Sequence, residues 1–155
     1  MEVLRRRRNS YLIALQLSQG VMRTFSESTK VTDSEMWPAK LDALLAAPVH
    51  HRLLLENDTV RVLDTEIRPG EQTPVHTHQW PAVHYVLSWS AFIRRDESGS
   101  VLLDTRTTAF AQTPPQVLWG DSLPAHSLEN VGEAPLHIIS VEQKCEPLFS
   151  MQGDA

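Results

Sequence analysis

The chain has one cysteine, Cys145, in 155 residues, which excludes an internal disulfide and a cysteine zinc cluster. That usage fits a reducing compartment, and a cytoplasmic location is expected. No apolar run approaches the roughly 20 residues that a bilayer-crossing helix needs, so no membrane role is expected. A Gly-rich phosphate loop, a Ser-His-Asp pattern, a pair of carboxylates at catalytic spacing and an internal repeat are all missing. A basic stripe is missing from the body of the chain as well. Residues 1–30 hold six basic side chains against Glu2 and Glu27, a surplus of four; since the whole chain is −5, the remainder is −9. An acidic body without a basic face argues against nucleic acid as a partner.

What is present suits one ordinary globular domain. The length allows a real core, and 41% hydrophobic with 21% charged residues is a normal balance. The start, "RRRRNSYLIALQL", imitates a secretory signal, but its apolar run of about seven residues is at the lower limit for one and no clean cleavage site follows. Its Arg-rich, Ser-rich texture is also compatible with an organelle presequence, against which Glu2 and Glu27 count. The reading is a loosely structured extension over residues 1–47, with a targeting role for its start as the alternative. Near its end, residues 38–46 are expected to form a short helix, with Pro38 in the first turn, Leu41, Leu44 and Leu45 as the apolar face and Pro48 as the stop.

From residue 50 onward, short strand-like runs such as "VRVLDTEIR", "PAVHYVLSW" and "APLHIISVEQ" alternate with turn formers at a spacing of about ten residues. That rhythm predicts an all-β, antiparallel sandwich or barrel over residues 48–146, followed by a tail at 147–155. The clearest hairpin is "RRDESGSVLLDTR", turning at Ser98-Gly99.

Three of the seven histidines fall in "PGEQTPVHTHQWPAVHYVL". On a strand, His76 and His78 share a face with Cα atoms about 7 Å apart, close enough for two imidazoles to converge on one ion. Read alone, an H-x-H pair is equally a solvated or hydrogen-bonded pair. Its setting adds weight: Gly70 precedes His76 in a G-x5-H-x-H pattern, a strand "HYVLSW" follows, and "LPAHSLEN" later places Asn130 four residues after His126.

These two segments resemble the two sequence motifs of the cupin family, over about residues 50–143. The resemblance implies a small antiparallel jelly-roll barrel in which two histidines of the first motif and one of the second hold a divalent metal: here His76, His78 and His126. The usual metal-binding glutamate of the first motif is replaced by Ala82, its glycine by Trp89, and the second motif's P-x-G falls on Asp121, Ser122 and Leu123. The implied set is therefore three histidines without a carboxylate. His84, two residues past Ala82, is the candidate catalytic residue: an acid/base beside the metal ligands, with a fourth ligand and a packed wall residue as alternatives. Cupins commonly pair through their sheets, so a homodimer is expected by resemblance.

Neutral imidazoles suit iron, zinc, nickel and copper, and three protein ligands leave positions open for substrate. Without a carboxylate the centre is more positive and favours an anionic chelating substrate. Some three-histidine cupins are iron dioxygenases, so iron(II) is the favoured metal and oxidation of a small polar or anionic molecule the favoured activity. Zinc with the same ligands could activate water instead. A non-catalytic module that binds or senses a small molecule is the second reading, and an interaction scaffold using the basic arm the third. Trp80 and Trp119 read as core or as the barrel's rim. Of Arg94 and Arg95, alternation sends one inward, where it would suit a substrate carboxylate. His50, His51 and His137 lack a partner at ligand spacing and read as surface or loop residues.

Overall fold

Alternation in the sequence sets the strands, and the strands set the interior. The computed structural model describes residues 37–111 and 113–144; the basic arm of residues 1–30, Cys145 and the tail at 147–155 lie outside them. Among the described residues nine strands form: β1 (His51–Glu56), β2 (Val60–Ile67), β3 (His76–His78), β4 (Ala82–Ser88), β5 (Phe92–Asp96), β6 (Val101–Asp104), β7 (Val117–Gly120), β8 (Leu123–Asn130) and β9 (Leu136–Gln143). They make a five-stranded sheet in the order β1-β2-β9-β4-β7 and a four-stranded sheet in the order β3-β8-β5-β6, with every strand pair antiparallel. The inward faces of the two sheets meet, giving an antiparallel jelly-roll barrel. No helix among the described residues is long and apolar enough to cross a membrane.

On β2 the inward series is Arg61, Leu63, Thr65 and Ile67, paired across the ladder with Glu142, Ser140, Ile138 and Leu136 of β9. One end of this ladder is therefore charged and the other apolar. Leu63, Ile67 and Leu136 are sealed from solvent and form the apolar core. The outward face of β4 and β7 exposes Tyr85, Leu87, Val117 and Trp119.

The expected hairpin at Ser98-Gly99 joins β5 to β6. Gly99 takes φ +87, and the Asp96 carboxylate accepts from the backbone of Ser98 and Ser100 and from the Ser98 hydroxyl. The helix expected over 38–46 is present but broken. A 3₁₀ turn (Ala39–Leu41) gives way at Asp42, which is extended and caps a second turn, α1 (Ala43–Ala46), by accepting from Leu44 N at 3.0 Å. The buried side of these turns is Ala43 and Ala47, while Leu45 points outward. Small residues are needed there because the turns lie close against the barrel: Asp42 bridges to Thr77 of β3, and Thr77 Oγ1 donates to the Leu41 carbonyl.

Candidate metal centre

The two histidine-bearing segments become neighbouring strands. In the β3–β8 ladder His76 lies directly opposite His126, and a shift in register follows before His78, which pairs with Leu123. Thr77 points the other way, to the helical turns, so His76 and His78 face the interior together. The ring of His76 lies 4.4 Å from that of His126 and 5.1 Å from that of His78; His78 and His126 are 5.8 Å apart, centroid to centroid.

A fourth ring joins them. His51, read from sequence as a surface or loop residue, is the first residue of β1 and is 5% exposed. Its ring lies 4.7 Å from that of His76 and 5.3 Å from that of His78. One ligand nitrogen each from His51, His76 and His78 falls within 4.8 Å of the others, the geometry of a metal-holding group. His126 stands beside this trio, against His76. Ligands about 2.0–2.1 Å from a shared ion have adjacent nitrogens about 3–3.5 Å apart, a separation that falls within this bound.

The hydrogen bonds of the four rings share one design. Nδ1 of His51 donates to the Ala47 carbonyl at 3.1 Å, that of His76 to the Pro74 carbonyl at 2.8 Å, that of His126 to the Pro124 carbonyl at 2.8 Å, and that of His78 to the Glu142 carboxylate at 2.7 Å. In every ring this fixes the tautomer with the proton on Nδ1 and leaves Nε2 as the lone-pair nitrogen. None of the four Nε2 atoms has a hydrogen-bond partner among the described residues. With Nδ1 engaged in each ring, every Nε2 keeps its lone pair available, an arrangement that suits an electrophile at the centre. Burial holds the rings neutral: His51 is pushed down to about 2, first by desolvation and then by His76 and His78. His126 is likewise near 2 and His78 near 3, and His76 is lowered for the same first reason. Neutral imidazoles are the form that binds a metal.

The carboxylate missing at Ala82 has a counterpart one strand away. Ala82 of β4 lies directly opposite Glu142 of β9, which is 0% exposed. Its other oxygen accepts from Arg61 Nε at 2.6 Å, and Arg61 reaches Asp42 at 2.7 Å. The result is a chain from the cap of α1 to one ring of the cluster: Asp42, Arg61, Glu142, His78. Burial pushes the Glu142 carboxyl up against the pull of the Arg61 guanidinium. Trp80 covers Arg61 with its ring 4.7 Å away, and Trp119 stands on the outer face.

His84 faces inward two residues from Ala82 but outside the trio. Its Nδ1 is 2.8 Å from the Ser140 hydroxyl, and its Nε2 edge fills the space over Gly120, where an added Cβ would approach to 2.5 Å. It lies close enough to Glu142 for each to bias the other's protonation. His50 does sit in a turn, but its side chain is largely covered, with Nε2 3.7 Å from Glu71. His137 is a strand residue of β9 whose Nε2 is 2.6 Å from Asp64. Arg94 is the inward arginine: it shares a face with His126, whereas Arg95 turns away and meets Glu129 at 3.4 Å.

Fold and interior together describe an antiparallel jelly-roll barrel with a histidine-lined centre. No protein-family model and no curated protein sequence matches the chain. Among solved structures it is similar to a cupin domain from Bordetella pertussis Tohama I, at 16% identity and a TM-score of 0.46 over 61% of this chain and 92% of that one. It is also similar to an RmlC-like cupin family protein from Methanocaldococcus jannaschii, at 12% identity and 0.44 over 60% and 77%. A conserved protein with a double-stranded β-helix domain from Klebsiella pneumoniae matches at 18% identity and 0.44 over 80% and 91%.

Proposed function

We propose that the chain binds one divalent transition metal, iron(II) in preference to zinc, nickel or copper, on Nε2 of His76, His78 and His126 with His51 as a fourth donor, and that it oxidises a small polar or anionic substrate there with dioxygen. The observation that carries this reading is the common design of the four rings, each with Nδ1 tied to an acceptor and Nε2 left free. All-nitrogen donors suit these metals and not magnesium or calcium. When bound, the metal supplies a Lewis-acidic centre for substrate and dioxygen. The chain's own part is to hold the donors and exclude competing charge. Glu142 keeps the His78 ring in its tautomer and orientation through Nδ1. Arg61 and Asp42 hold Glu142 in place from behind. His84, anchored by Ser140 and facing inward two residues from Ala82, is the candidate to hold or move a proton at Nε2.

A non-catalytic module that binds or senses a small molecule is the second reading, favoured by the lock between Glu142 and Arg61, which leaves His84 as the one histidine free for acid–base work. Oxygen uptake separates the two. The full chain, loaded anaerobically with iron(II), is expected to consume dioxygen when given a panel of small carboxylates. Metal retained with no uptake across the panel would assign the sensing role, and the His84→Ala variant is expected to slow uptake while keeping its metal.

A further inference from the structure

Arg94 carries a charge that nothing in the barrel answers. It sits in the middle of β5, directly across from Leu128 of β8, with inward-facing His126 two residues along the same strand. Its Nε is sealed from solvent and has no hydrogen-bond partner. The acidic groups around it are all engaged elsewhere. Asp96, on its own strand, is held in the hairpin turn; Glu129 meets Arg95 on the opposite face; Asp104 pairs with Arg106; Glu142 pairs with Arg61 and His78. Among the described residues no carboxylate faces the Arg94 guanidinium. Desolvation lowers its affinity for its proton, and its field helps to hold His126 neutral.

An arginine cannot escape burial by losing its proton, so its cost stands until an anion arrives. The charge balance of the interior points the same way. The positive charge of Arg61 is met by Glu142 and Asp42, whereas four neutral imidazoles add no negative charge beside Arg94. A divalent metal on those rings makes the deficit larger. We propose that Arg94 is the anchor for the carboxylate of a small anionic ligand, gripping it through the forked guanidinium while a second donor of the same ligand faces the histidine cluster. The second half of this statement rests on the metal reading above; the first does not. Planar, bidentate capture is what distinguishes arginine from lysine at such a position.

The test uses the full chain, metal-free and cobalt(II)-loaded, with malonate as the probe and neutral malonamide as its control, read by titration calorimetry. Malonate is expected to bind the cobalt form, and Arg94→Met to weaken it by roughly tenfold or more, with Arg94→Lys in between and malonamide silent throughout. Cobalt content should be the same in all three proteins. Without malonate, Arg94→Met is expected to melt about 2–4 °C above the wild type, because it removes a half-buried cation whose sealed Nε lacks a partner; a merely structural arginine would give the opposite shift. Equal malonate affinity in wild type and both variants, or no binding by the wild type, overturns the proposal. If the wild-type chain takes up no cobalt, the metal reading falls alone: Arg94-dependent malonate binding to the metal-free chain still supports the anchor, and its absence overturns it. Should Arg94→Met not fold, the lysine variant and the malonamide control decide.

Discussion

The interior of this barrel has two halves that are equally dry and chemically opposite. Along the β2–β9 ladder, Leu63, Ile67 and Leu136 fill one end, while Arg61 and Glu142 occupy the other, beside His51, His76, His78 and His126. Leu63 and Glu142 are both 0% exposed. The apolar half is stabilised by leaving water, at about 25 cal/mol per Å² of buried apolar surface. The polar half gains nothing comparable: desolvating titratable groups costs free energy, which hydrogen bonds to Ala47, Pro74, Pro124 and Glu142 offset only in part. A fold seeking stability alone would fill that end with leucine. The difference between the halves is therefore the clearest mark of where function resides.

Acid separates the halves most strongly. His51, His76, His78, His84 and His126 all have folded-state values below the usual 6.5, chiefly through desolvation. Below that value the unfolded chain takes up protons that the folded chain refuses, so stability present above pH 6.5 is lost as the pH falls. Each histidine contributes a slope of about 1.4 kcal/mol per pH unit. Urea titrations of the metal-free chain are expected to show a steep fall between about pH 6.5 and 5. Leu63→Ala should lower the whole curve by about 2–5 kcal/mol without changing its slope. A flat profile in the wild type would contradict the account of five neutral buried rings.

Removing one partner of the buried pair has the next largest effect. Glu142→Ala leaves the buried Arg61 guanidinium with Asp42 as its one remaining partner and is expected to cost about 3 kcal/mol in chemical unfolding. It also frees His78 Nδ1, so metal affinity should fall by about 10- to 100-fold even though Glu142 is not among the proposed ligands. An apolar substitution of similar stability cost, such as Leu63→Ala, should leave metal affinity unchanged. If the two variants lose metal in proportion to lost stability, the distinction between the halves fails.

Much of this arrangement is legible in the sequence, and the exceptions have reasons. The alternating runs from residue 50, the hairpin at Ser98-Gly99 and the pairing of the two motif segments follow from local pattern. His76 facing His126 is what that pairing brings about. His51 is not legible, because no spacing relates it to the other histidines; β2 places β1 in the sheet, and only the meeting of the two sheets brings the rings together. Glu142 and Arg61 did leave a signal. Glu142 alternates in step with Leu136, Ile138 and Ser140, and Arg61 with Leu63 and Ile67, so a charge on the apolar face of each strand marks an inward ion pair. The helix at 38–46 was legible in place but not in face, since close packing on β3 selects Ala43 and Ala47 over the leucines.

The central claim is that the polar half exists to hold a metal, and metal content tests it most directly. The full chain and its His76→Ala and His84→Ala variants are saturated anaerobically with iron(II), desalted, and analysed by mass spectrometry for metal per chain. About one metal per wild-type chain is expected, close to none for His76→Ala, and near wild-type content for His84→Ala. A wild-type chain that retains no metal, or a His76→Ala chain that retains as much as the wild type, would contradict the claim.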